Sequence, residues 1–176
     1  METEPSFGFL VHDVARLFAR RFNQRSVQVL GLTRAQCRVL GYLARNEGIN
    51  QAGLAELLEI KPMTLVRQID RMEQDGWIER RPDPADRRAR RLVLTAKARP
   101  ILARIRELSA EVRNEAFASL SEADGQALVD LLRRIHNGMS ERLGAAMPER
   151  DMPTRRPVAL REPRQAVLET ALGGEG

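Results

Sequence analysis

Between Trp77 and Thr95 the chain reads W-I-E-R-R-P-D-P-A-D-R-R-A-R-R-L-V-L-T, two short apolar runs joined by a turn rich in proline, aspartate and arginine. Runs of this length pair as an antiparallel hairpin when the residues between them cannot continue a strand. Pro82 through Arg90 meet that condition, so strands are predicted at Trp77–Arg81 and Arg91–Leu94 with the loop projecting. A lone hairpin cannot bury a core in water. It must lie against helices, and the rest of the chain has helical periodicity.

From Phe7 to about Val29 the residues Phe7, Leu10, Val14, Leu17, Phe18 and Phe22 recur at helical spacing, while Arg16, Arg20, Arg21 and Arg25 fill other faces. Thr33 followed by Gln36 has the capping-box pattern and predicts a second helix through Val39, Leu40 and Leu43 that ends at Glu47-Gly48. Asn50 can cap a short third helix carrying Leu54, Leu57 and Leu58. Pro62 suits the first turn of a fourth, where its missing N–H costs little, and Gly76 closes it. Ala98, Ile101, Leu102, Ile105, Leu108 and Val112 form the stripe of a fifth helix. Ser121 with Asp124 opens a sixth, bearing Leu128, Leu131, Leu132, Ile135, Met139 and Leu143. The predicted fold class is mainly α with a small β-hairpin wing.

In the fourth helix, Leu65, Ile69 and Met72 share one side, with Val66 at its margin. Thr64, Arg67, Gln68, Arg71 and Asp75 gather on the other. Hydroxyl, guanidinium and amide groups of this kind can bond phosphates and base edges, arginine to guanine and glutamine to adenine in the major groove. Taken alone, a solvated helix face is the plainer alternative. The succession of short helix, tight turn and this helix is the helix-turn-helix arrangement, whose second helix enters the major groove. In the hairpin loop, Arg87, Arg88 and Arg90 can reach phosphates or a narrow minor groove, the alternative being a solvated basic turn. Asp86 is expected to bond loop amides or to orient Arg88 through a carboxylate–guanidinium pair.

Charge agrees with a polyanionic partner: 176 residues carry a formal net charge of +5. That length is one ordinary domain, or one domain and a tail. A single cysteine, Cys37, excludes an internal disulfide, and with His12 and His136 as the only histidines no zinc site of the usual ligands is expected. No apolar stretch approaches a membrane span and the N-terminus has no signal-peptide pattern, so a cytoplasmic protein without membrane partners is expected. No phosphate-binding glycine loop, metal cluster or nucleophile pattern supports an enzyme, and no cofactor is expected.

At these residues the chain resembles the MarR family of bacterial transcription regulators, SlyA-like members in particular. Asp86 to Thr95, D-R-R-A-R-R-L-V-L-T, is similar to the family's D-x-R wing followed by an apolar-x-L-T strand, and Pro62 to Arg80 resembles its recognition helix. The resemblance spans roughly residues 7–145. It implies a winged helix-turn-helix with long N- and C-terminal dimerisation helices. It also implies a homodimer on a pseudo-palindromic double-stranded DNA operator, with repression relieved by a small effector. Asp86 and Arg88 become the wing pair, and Thr64, Arg67 and Gln68 fall where recognition helices touch DNA. Trp77, bulkier than the aliphatic residue common in the family, is expected to pack beneath the wing.

The resulting organisation is an N-terminal dimerisation helix over 1–32, a DNA-binding lobe over 33–95 with its recognition helix at 62–76 and wing at 77–95, dimerisation helices over 96–147, and a disordered tail over 148–176. The apolar surface of the flanking helices could close across a two-fold axis or as an intramolecular bundle. His12 with Arg16, and Arg38 with Tyr42, lie one turn apart and could hold a carboxylate; the resemblance implies an aromatic acid or its coenzyme A thioester as the effector, with Cys37 also near this region. Cys37 raises a redox-sensing alternative, although a free cysteine is commonly a small buried hydrophobe. A non-specific architectural DNA-binding protein is the other alternative.

Overall fold

Four of the six helices among the described residues start after a side chain that caps them, Ser6, Thr33, Asn50 and Ser121. The computed structural model describes residues 6–84 and 89–143. Helix α1, Phe7–Leu30, begins after Ser6, whose hydroxyl accepts from the Phe9 amide, and ends at Gly31 in the left-handed region (φ 66°). Helix α2, Arg34–Arg45, carries the full Thr33–Gln36 capping box. Asn50 caps α3, Gln51–Leu58, by accepting from the Gly53 amide. Pro62 opens α4, Pro62–Gln74. Strands β1, Ile78–Pro82, and β2, Arg90–Leu94, follow, then α5, Ala98–Ala116, and α6, Glu122–Arg142. Ser121 and Asp124 bond each other at the start of α6, as their spacing predicts.

The strands pair antiparallel in the register Ile78↔Leu94 through Pro82↔Arg90. They therefore extend one step further into the turn than expected, with Pro82 and Arg90 inside the ladder. The Asp83 amide donates to the Ala89 carbonyl and the Thr95 amide to the Trp77 carbonyl. Bonded pairs alternate with non-bonded ones in such a ladder, so Pro82 falls at a non-bonded position where no N–H is needed. The hairpin is also wider than its sequence implied. Gly48 donates to the Leu92 carbonyl, Leu92 donates to the Ile49 carbonyl, and Asn50 forms a bridge with Arg91. This edge has no alternating apolar pattern and was not legible as a strand.

The chain divides into two compact units between Ala127 and Leu128, within α6. In the first, Leu40 and Leu43 from α2, Leu54 and Leu58 from α3, Leu65, Ile69 and Met72 from α4, and Ile78 and Leu92 from the hairpin form a continuous buried core. The stripe of α5 joins that core, with Ala98, Ile105, Leu108 and Val112 buried. Ile101 and Leu102 of the same stripe are partly buried against it. Arg21 Nε donates to Glu115 Oε2 at 2.6 Å and Arg25 Nη2 to Glu111 Oε2 at 2.8 Å, fastening α1 to α5.

The outer face of α1 is different: Phe7 is 63% exposed, Val14 61% and Leu17 50%. In the second unit, Leu128, Leu131, Leu132, Ile135, Met139 and Leu143 are likewise exposed. Neither apolar set is covered by the described residues. Among those residues no helix is long and apolar enough to cross a membrane. The tail expected from Pro148 onward lies outside the described residues.

Candidate nucleic-acid interface

Helix α4 stands with Leu65, Ile69 and Met72 fully buried, and this anchors its orientation. Thr64, Arg67 and Arg71 are exposed on its other side. Gln68 is not equally open. It is half-buried, and its amide nitrogen Nε2 has neither solvent access nor a hydrogen-bond partner among the described residues. Across from it stands the start of α2. The two form an open cleft of about 610 Å³ bounded by Thr33, Ala35 and Gln36 on one side and Met63, Thr64 and Arg67 on the other.

Arg67 and Arg71 make no ion pair with any described residue, although Asp70 and Glu73 lie on the same helix. Those carboxylates are taken by Arg80. Its Nη2 donates to Asp70 Oδ1 at 2.6 Å and to Gln51 Oε1 at 3.2 Å, and its Nη1 pairs with Glu73. The Arg80 backbone amide adds a bond to Glu73 Oε1 at 2.9 Å. One residue of β1 thereby holds α3 and α4 and neutralises the acidic side of α4. The charged side chains of that helix left without an ion pair among the described residues, Arg67 and Arg71, are cationic.

The stem of the wing is closed by a second pair. Arg91 Nε donates to Asp83 Oδ2 at 2.6 Å and its Nη2 to Asp83 Oδ1 at 3.1 Å, a two-pronged carboxylate contact between the strands. Arg90 is exposed at the end of β2. Asp86, Arg87 and Arg88, the expected tip of the wing, lie outside the described residues. Sequence reasoning missed both Arg80 and the Asp83–Arg91 pair. The second had a signal, since Asp83 and Arg91 flank the turn nearly symmetrically; the first depends on how α4 crosses the hairpin.

Trp77 is half-buried against the core at the base of the hairpin, and the Lys97 ammonium sits 4.2 Å from the centre of its ring.

Of the expected effector residues, Arg38 and Tyr42 do come together. The Arg38 guanidinium lies 5.9 Å from the Tyr42 ring centre and donates to the Leu58 carbonyl at 3.1 Å. Arg34, not singled out from sequence, adjoins them, and burial followed by repulsion from Arg38 lowers its pKa. On α1, His12 is exposed, and Arg16 is bonded by Asp13 of its own helix. Cys37 belongs to the core, 3% exposed, and burial pushes its thiol up to about 11, against a smaller opposing effect of the Ser26 hydrogen bond. No His, Cys, Asp and Glu cluster among the described residues could hold a metal ion.

A hairpin locked to a helix with a cationic outer face, behind a short helix and a tight turn, is a winged helix-turn-helix. A family profile described as MarR family matches residues 30–89, from the end of α1 to the residue before β2. The transcriptional regulator HosA of Escherichia coli O111:H- is 31% identical over 126 residues, which cover 72% of this chain and 93% of HosA. The chain belongs to the MarR family. Among solved structures, wild-type MarR from Escherichia coli in its apo form is similar at a TM-score of 0.70 and 27% identity, over 76% of this chain and 98% of that one. A mutant MarR from Escherichia coli complexed with operator DNA is similar at a TM-score of 0.64 and 28% identity, over 73% and 91%. The transcriptional regulator SlyA follows at 0.62 and 29%, over 74% and 92%. The protein is thus a MarR-family winged-helix transcriptional regulator, and its relatives are regulators, not enzymes.

Proposed function

We propose that this MarR-family protein is a homodimeric, sequence-specific DNA-binding repressor whose α4 enters the major groove while the wing reaches the minor groove. The observation that carries the proposal is the pairing pattern on α4. Arg80 takes up Asp70 and Glu73 and leaves Arg67 and Arg71 exposed beside Thr64. The likeness to a MarR mutant complexed with operator DNA supports the same assignment. Arg67, Arg71 and Thr64 supply the contacts to bases and phosphates. Gln68 reads bases only after its covered amide is released. Arg88, oriented by Asp86, anchors the wing, and Arg87 and Arg90 meet phosphates.

The exposed apolar faces of α1 and of the second half of α6 supply the dimer interface. A two-fold dimer sets two recognition helices about 34 Å apart and reads a pseudo-palindromic operator. The effector is a small aromatic acid or its coenzyme A thioester; for the free acid, Arg38, beside Tyr42 and Arg34, receives the carboxylate. Burial of Cys37 argues against a redox signal through that thiol.

The test selects duplexes from a random-sequence pool, then titrates the protein against the selected site and a scrambled one. A preference of about a thousandfold or more is expected for an operator-specific dimer. Equal affinity for both duplexes, with steep salt dependence, would instead identify an architectural binder and overturn the proposal.

A further inference from the structure

The first turn of α5 does more than start a helix. Lys97, which precedes it, donates from Nζ to the Asp75 carbonyl at 2.7 Å, and the same ammonium sits 4.2 Å from the centre of the Trp77 ring. Asp75 is the C-cap of α4, where unpaired carbonyls concentrate negative potential, so the ammonium is attracted by the helix end and the indole face together. Next to it, Thr95 donates from Oγ1 to the Gly76 carbonyl at 2.7 Å, and Gly76 turns the chain from α4 into β1 with φ 73°. Two residues beyond Lys97, Arg99 bonds Glu47, whose carboxylate also accepts from the Leu94 amide. The start of α5 therefore holds the end of α4, the base of the hairpin and the loop after α2 at one joint.

We infer that Lys97, acting through Trp77 and the Asp75 carbonyl, is a positioning residue that sets the angle of the recognition helix and wing against α5. The inference rests on the DNA-binding reading above. Lys97 is at the C-terminal end of α4, whereas Thr64 and Arg67 occupy its first half, so the side chain acts on DNA through orientation. Both arginine-bearing elements lose their placement against α5 when the joint loosens.

The probe is a duplex that the wild-type protein selects from a random-sequence pool, labelled for anisotropy. Lys97→Met keeps the aliphatic stem and removes the charge. It is expected to weaken binding by roughly five- to tenfold, to leave thermal unfolding and oligomeric state near wild type, and to change the emission of Trp77, the single tryptophan of the chain. Lys97→Arg restores affinity. Trp77→Leu weakens binding comparably with the ammonium still present, and the double variant is no worse than either single one. Wild-type affinity in Lys97→Met overturns the inference. So does wild-type affinity in Trp77→Leu beside a weakened Lys97→Met, which would make Lys97 a direct phosphate contact. A wild-type protein that selects no duplex overturns the DNA-binding reading itself, which is a separate outcome.

Discussion

Cys37 shows how position decides what a side chain can do. Its thiolate would be the reactive form, yet burial among Val39, Leu40 and Leu43 raises its pKa from 9.0 to about 11. At neutral pH the native thiol is protonated and covered. A colorimetric disulfide reagent at mildly alkaline pH is therefore expected to label Cys37 far more slowly in the native protein than in urea; equal rates would refute its core placement. Exposure works in the other direction at Arg67 and Arg71. Neither has a carboxylate partner among the described residues, so truncating either removes little that the folded chain uses. Arg67→Ala is expected to cost about 1–3 kcal/mol of operator affinity with an unchanged melting temperature. A gel-shift titration at fixed salt checks it, and wild-type affinity would remove Arg67 from the interface.

At the scale of elements, the hairpin depends on Arg80 and the α1–α5 pair on Arg21 and Glu115. Arg80 is mostly covered, with 23% of its side chain exposed, and Arg80→Met would leave Asp70 and Glu73 facing each other without a cation. The expected loss is about 1–3 kcal/mol in urea unfolding, with the fold retained. For α1 and α5 the pH dependence has a definite sign. The hydrogen bond from Arg21 holds the Glu115 carboxyl below its usual value of 4.5, outweighing the upward push of desolvation. Its stabilising contribution is present above 4.5 and is lost as pH falls through the lowered value. Thermal melts from neutral pH down into the acid range should show that loss, and Arg21→Gln should reduce it; an identical acid profile in the variant would refute the pair's role.

Elements were also the scale most legible in the sequence. Helix starts could be read because Thr33–Gln36, Asn50 and Pro62 act locally, within one turn of chain. The hairpin was legible for the same reason. Its exact extent was not, because whether Pro82 falls at a bonded or non-bonded position depends on pairing register. The edge formed by Gly48, Ile49 and Asn50 was invisible, since three residues joined to β2 by backbone bonds need no side-chain pattern. In the candidate interface, Thr64, Arg67 and Arg71 could be assigned a face from helical period alone. Gln68 lies on that face too, but period could not tell that its amide nitrogen is covered, since burial depends on packing.

For the whole molecule the decisive quantity is apolar surface left open. Phe7, Val14 and Leu17 along α1 are each at least half exposed, whereas the stripe of α5 is buried in the chain's own core. Burying such side chains contributes about 1.5–3 kcal/mol each, which favours association through α1. Val14→Asp combined with Leu17→Asp is expected to yield a folded monomer by size exclusion with light scattering, with operator affinity reduced by roughly tenfold or more because only one half-site can be held. A variant that remains dimeric would exclude α1 from the interface.

What the sequence determined by itself was the order of elements, their caps, and the faces of α4, because periodicity and capping are properties of neighbours along the chain. The tertiary structure decided which charges were free. Arg80, Asp70 and Glu73 are distributed over β1 and α4, and only the crossing of those elements shows that the carboxylates serve Arg80 and leave Arg67 and Arg71 open. It also decided that α5 belongs to the core while α1 keeps an uncovered face. Period alone makes both stripes apolar; it does not say what each one meets.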